Sequence, residues 1–165
     1  MILSVCERIG RVMLLEAVLI LTILIISIYI MLIDIQKKLI YDEAILALCV
    51  PAIVSFFIWP EISLGSRLLG AVTVSGIMLL LNVLRPGAFG GGDMKLMVPL
   101  GFWLGFPMTL LTGILAVFIG AVWGIVWMLV QGKEQGITIP FAPSLCIGAW
   151  ISYFGGEALW QWLCQ

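Results

Sequence analysis

Residues 12–34 read VMLLEAVLILTILIISIYIMLID, an apolar stretch interrupted by one glutamate, Glu16, and closed by an aspartate, Asp34. About 18 or more such residues suffice to carry a helix across a hydrocarbon layer of roughly 30 Å. The stretch therefore predicts a membrane-spanning helix, with Glu16 near its entry, where it can reach the interface. Glu7, Arg8 and Arg11 precede it and no small-residue cleavage site follows, so a retained first helix is expected rather than a cleaved signal.

Outward from this stretch the same composition recurs at 44–59, 68–84, 94–106, 108–130 and 138–163. Pro51 lies inside the short second segment, where membrane helices tolerate proline. Gly70 and Gly76 in the third are available for close helix packing. Segment 94–106 is too short to cross comfortably and is expected to be a short, tilted or re-entrant helix beginning just after Asp93. Trp59, Trp103, Trp127, Trp160 and Trp162 fall near segment ends, as an interfacial aromatic belt requires. The fold class read from this pattern is all-α: a polytopic membrane protein of about six transmembrane helices, with residues 1–165 as a single domain.

Composition agrees and excludes several functions. Of 165 residues, 63% are hydrophobic and 10% charged. A mean hydropathy of +1.23 is more apolar surface than one small soluble core can hide. The net charge of −1 leaves no basic footprint for nucleic acid. With no histidine, Ser-His and Cys-His nucleophile pairs and the H-E-x-x-H zinc site are excluded. Cys6, Cys49, Cys146 and Cys164 form no C-x-x-C pair and are read as packed thiols, so no metal or cofactor is expected.

With six crossings, Lys37, Lys38, Arg85, Lys95 and Lys133 gather on one side and Arg8, Arg11 and Arg67 on the other. The positive-inside rule then places the first group in the cytoplasm and both termini outside, provided that 94–106 crosses. Asp34 and Asp93 fall on the cytoplasmic side.

Nine acidic residues are present, most of them in loops or near the termini. Asp34 ends an apolar run and Asp93 stands between a glycine run and another apolar segment, positions where a carboxylate is costly unless paired, protonated or used. As a boundary marker, Asp34 would pair with Lys37 or Lys38. Two carboxylates held together at low dielectric share one proton, and such a pair can activate water and protonate a scissile carbonyl. The same two residues could instead bind a cation or relay protons in a small transporter subunit, or sit in a noncatalytic assembly factor that holds other helices by groove packing. Gly90, Gly91 and Gly92 allow positive φ and close backbone approach beside Asp93, or simply a flexible turn.

Gly90-Gly-Gly-Asp93-Met-Lys95-Leu matches G-x-G-D-x-K-L. With Asp34 and Ile40, and with Ile139-Pro-Phe-Ala-Pro143 followed by Leu145 and Gly148-Ala-Trp, the chain resembles the type IV prepilin peptidases of the G-x-G-D membrane aspartyl protease group. Preflagellin peptidases belong to the same group, and the late I-P-F-x-P segment favours the bacterial prepilin branch. Tyr41 and Asp42 stand where the family usually has Pro-Asn or Pro-Asp, and Ala142 replaces a glycine.

The resemblance implies an aspartic endopeptidase with Asp34 and Asp93 as its catalytic pair. Gly90, Gly91, Gly92, Lys95, Pro140 and Pro143 are then residues that shape the site or bind substrate. Lys95 has three readings: a contact for an anionic group of the substrate, a partner that tunes Asp93, and an anchor for lipid phosphate. The implied substrate is a prepilin, or a pseudopilin of type II secretion, whose basic leader precedes a hydrophobic helix and is cut at the cytoplasmic face of the bacterial inner membrane. Membrane lipid is the other partner. Many family members also carry a cytoplasmic domain with paired C-x-x-C motifs and methylate the new N-terminus; this sequence has no such motifs, so cleavage without methylation, or methylation done elsewhere, is expected.

Overall fold

The computed structural model describes residues 2–131 and 140–163. Six helices follow one another: α1 (Ile2–Lys37), α2 (Asp42–Ile58), α3 (Leu64–Leu84), α4 (Gly91–Leu104), α5 (Met108–Gln131) and α6 (Ala142–Leu163). The described residues contain no strand, and the chain is an all-α membrane protein. Lys133, Glu134, Ile139 and Cys164 lie outside the described residues, as do the side chains of Cys6, Glu7, Arg8, Arg11 and Trp127.

Among the described residues three stretches are long and apolar enough to cross a membrane: Met13–Lys37, Leu64–Leu84 and Met108–Val126. The first belongs to a 36-residue helix, about 54 Å long at 1.5 Å per residue. Their outer faces present Leu14, Leu21 and Ile25 on α1, Leu69, Val72 and Val83 on α3, and Phe118, Val122 and Ile125 on α5, all exposed. So much uncovered apolar surface is unfavourable in water and is the surface that lipid tails accept.

Helix α4 is the centre of the bundle. It packs against α2, α3, α5 and α6, while α1 lies against α2 and α6. Leu96, Met97, Leu100 and Trp103 are all but sealed from the exterior. Its 14 residues span only about 21 Å. An apolar run of that length suits a buried core helix, which accounts for the short fourth segment. The helix begins at Gly91, so Asp93 lies in its first turn rather than ahead of it. Gly105 stops it at φ 71°, a conformation that favours glycine.

The α3–α4 crossing is set by two glycines. A Cβ on Gly70 would collide with the carbonyl oxygen of Gly101, and one on Gly101 with that of Gly70, so only glycine lets the backbones approach this closely. Gly76, expected to do likewise, meets only Val72 of its own helix.

Arg67, which the sequence places in a loop among the outward-facing charges, is completely buried at the start of α3. Its guanidinium donates to the carbonyls of Ser55, Trp59, Ile62, Phe102 and Trp103 and to the Ser55 hydroxyl. Carbonyls at a helix C-terminus lack partners within the helix, and one cation serves the ends of both α2 and α4. Ser66 reinforces the junction: its hydroxyl donates to the Phe106 carbonyl at 2.6 Å, and the Phe106 N–H donates to the Ser66 carbonyl at 3.0 Å.

The aromatic belt holds only in part. Trp162 is exposed, whereas Trp103 is 2% exposed and stacks on Tyr153 inside the bundle, ring centres 4.9 Å apart. Cys49 and Cys146 are free thiols, the second fully buried.

Candidate active site

At the opposite end of α4 from Arg67, the last turn of α1 and the first turns of α4 and α6 converge. Each contributes a short polar feature: Asp34 from α1, Asp93 from α4 and the free N–H groups of the α6 start. Asp34 is 5% exposed and Asp93 9%. Both carboxylates act electrostatically on the Cys146 thiol and Asp34 acts on Asp93, so residues 59 positions apart in sequence share one site.

Their environments differ. The backbone N–H of Ala142, first residue of α6, donates to Asp34 Oδ2 at 3.0 Å. A helix N-terminus with its unpaired N–H groups favours negative charge, so this contact supports an ionised Asp34. Lys37, a boundary partner in the sequence reading, turns instead to the Tyr41 hydroxyl at 3.1 Å. Asp93 Oδ1 is buried without a hydrogen-bond partner. Asp93 precedes the apolar part of α4, outside the three spanning stretches. Burial first, and the neighbouring Asp34 second, push its carboxyl up to about 7, against a smaller opposing contribution from the Gly90 backbone.

The glycine run contributes proximity rather than unusual backbone angles. Gly90 caps α4 at φ −68°, Gly91 and Gly92 are already helical, and among the described residues the positive-φ glycines are Gly87 and Gly105. A Cβ on Gly90 would stand 2.9 Å from Asp93 Oδ2, and one on Gly92 would stand 2.8 Å from the Cβ of Ile40. Gly92 thereby lets the α1–α2 connection press onto the first turn of α4, which keeps the two aspartates close. Nothing lies within reach of a Cβ on Gly91.

Lys95 does not reach Asp93. Its ammonium grips both oxygens of Asp42 at 2.8 and 2.9 Å, and both side chains are exposed. The pair ties the start of α2 to α4 beside the site. Pro140 is buried and Pro143 lies in the first turn of α6, also buried. Between them Phe141 packs on Phe89, ring centres 5.6 Å apart, so the late proline segment closes against the loop that delivers the glycines. Ala142 has no exposed surface.

Sequence reasoning missed Ala142 as a partner of Asp34, Cys146 as a neighbour of both carboxylates, and Asp42 as the partner of Lys95. A signal existed for the first two: residues 142 and 146 are four apart, hence on one helix face. Among the described residues no group of three or more His, Cys, Asp or Glu is placed to hold a metal ion.

Comparison with known proteins identifies a family. Residues 20–125 match the model of the type IV leader peptidase family. A prepilin leader peptidase/N-methyltransferase of Aeromonas salmonicida strain A449 is 31% identical over 137 residues, 79% of this chain and 46% of the relative. The protein of that name from Pseudomonas aeruginosa is 32% identical over 133 residues, 78% of this chain and 46% of its own length. The one from Bacillus subtilis strain 168 is 32% identical over 92 residues, 56% of this chain and 37% of its own. The chain thus spans less than half the length of these relatives. No solved structure matches it significantly. On the family match and on identity sustained over more than three quarters of its length, the chain belongs to the type IV leader peptidase family.

Proposed function

We propose that the chain is a membrane-embedded aspartic endopeptidase, acting as one domain, with Asp34 and Asp93 as its catalytic pair. One observation carries the reading: two buried carboxylates share a site, one held by a helix N-terminal N–H and the other left with an unpaired oxygen and a raised proton affinity. Buried acids are otherwise paired. A shared site in which one carboxyl accepts an N–H and the other does not favours one ionised and one protonated member, a base and an acid at the same pH.

In this mechanism ionised Asp34 takes a proton from water as its oxygen attacks the scissile carbonyl carbon. Protonated Asp93 donates to the carbonyl oxygen as it gains charge. As the tetrahedral species collapses and the C–N bond breaks, one of its hydroxyl protons returns to Asp93 and the proton held on Asp34 passes to the departing amine. Atoms and charge balance with water as the only co-reactant. Gly90 keeps the flank of Asp93 free of side chain, which leaves room for an extended substrate backbone.

The substrate is the leader of a prepilin or pseudopilin with a hydrophobic N-terminal helix, cut at the cytoplasmic face of the bacterial inner membrane. The names of the relatives support the substrate class. Lys37, Arg85 and Lys95 stand at helix ends near the pair, which under the positive-inside rule supports the cytoplasmic face.

The test is leader cleavage of a co-expressed prepilin in membranes, followed by gel shift and N-terminal sequencing. Asp34→Asn and Asp93→Asn should each lower cleavage by about 100- to 10,000-fold, the scale of a lost acid or base. Normal processing by both variants would overturn the assignment in favour of a transporter subunit or an assembly factor.

A further inference from the structure

The end of the bundle away from the aspartates holds a second feature that the peptidase reading does not use. A cavity of about 630 Å³ opens between the α2–α3 connection, the end of α4 and the second half of α6. Its size falls within the usual range for small-molecule sites. Trp59, Trp103 and Tyr153 form one wall, with Tyr153 ring-to-ring against both tryptophans at 6.1 and 4.9 Å.

Glu61 and Glu157 line the same space, and Glu16 of α1 acts electrostatically on Tyr153. Arg67 interacts with Glu61, but its donors are engaged by helix-end carbonyls and the Ser55 hydroxyl. Ser152 is 1% exposed, lines the cavity, and its hydroxyl has no hydrogen-bond partner. Serines within helices usually donate to the carbonyl four residues back, as Ser27 and Ser75 do here. An orphaned hydroxyl in the wall of an aromatic, acidic cavity points to a ligand that supplies the missing partner.

We propose that this cavity binds a primary ammonium group. Carboxylates at the mouth balance the charge, aromatic faces attract the cation, and the Ser152 oxygen accepts an N–H. A quaternary ammonium satisfies the first two demands and fails the third. Two sources share the chemistry, the ethanolamine headgroup of a membrane lipid and a soluble amine. The site stands about 15 Å along α4 from Asp93 and its occupation is independent of the peptidase reading.

The test is a tryptophan-fluorescence titration of the full chain in detergent with ethylammonium chloride, using sodium chloride at equal ionic strength as reference. A saturable response is expected, weakened about tenfold or more in Glu61→Gln/Glu157→Gln. Both side chains are exposed, so the fold is kept. Tetramethylammonium should bind more weakly than ethylammonium, and Ser152→Ala should remove that difference. Asp34→Asn should leave the titration unchanged. Repetition in nanodiscs distinguishes the sources: suppression of the response by ethanolamine-headgroup lipid, but not glycerol-headgroup lipid, identifies the lipid, and an equal response in both identifies the soluble amine. No saturable response, or an equal response in the double glutamine variant, overturns the proposal.

Discussion

The two ends of α4 each bury charge, and they handle it in opposite ways. At the C-terminal end Arg67 is wholly enclosed, yet its donors meet carbonyls at the ends of α2 and α4. At the N-terminal end Asp93 is almost as deeply buried and one of its oxygens meets nothing, with a second carboxylate near enough to act on it. A satisfied buried charge reads as structure. An acid that the surroundings leave unsatisfied works against the fold, and the proposed chemistry is a reason for keeping it.

The sharpest way to break this contrast is to remove each group and measure stability. Arg67→Ala should cost about 3–5 kcal/mol, the scale for removing a buried, hydrogen-bonded charge, seen as a large loss of folded protein in a detergent thermal melt. Asp93→Asn should leave the melt unchanged or raise it, while lowering cleavage by about 100-fold or more. A destabilisation of equal size in both would mean that Asp93 is a structural group like Arg67.

A smaller effect separates the ends by pH. Because Asp93 holds its proton up to about 7 in the fold and to 3.8 in the open chain, the folded state carries more protons between these values, and stability should fall as pH rises through that window. Cleavage should likewise fall above about 7, by roughly tenfold per unit, as the pair loses its proton donor. A pH–rate profile that is flat from 6 to 9 would remove Asp93 from the acid role, and persistence of the stability slope in Asp93→Asn would assign it to another group.

The smallest effect concerns the exposed pair of Lys95 and Asp42. Exposed ion pairs contribute about 0–1 kcal/mol, so Lys95→Ala should barely shift the melt. As the pair ties α2 to the turn that carries Asp93, cleavage should fall by a few-fold and recover in Lys95→Arg. Loss on the scale of an aspartate substitution would instead place Lys95 in contact with substrate.

By itself the sequence determined that the chain lives in a membrane and is helical, because runs of apolar residues leave no other way to satisfy backbone groups in lipid. It also singled out Asp34 and Asp93, since a carboxylate at an apolar boundary stands out against a background with few charges. It did not reveal how these groups are satisfied, because hydrogen-bond partners are set by distances between segments far apart in the chain. Only the tertiary structure decided that Ala142 reaches Asp34 across 108 positions, that Lys95 turns to Asp42 rather than Asp93, and that Arg67 is an internal clamp rather than a loop charge. The glycines show the same division. Gly90 and Gly92 were visible as special, read as allowing positive φ and close backbone approach, but which neighbours they approach, Asp93 and Ile40, is a property of the assembled bundle.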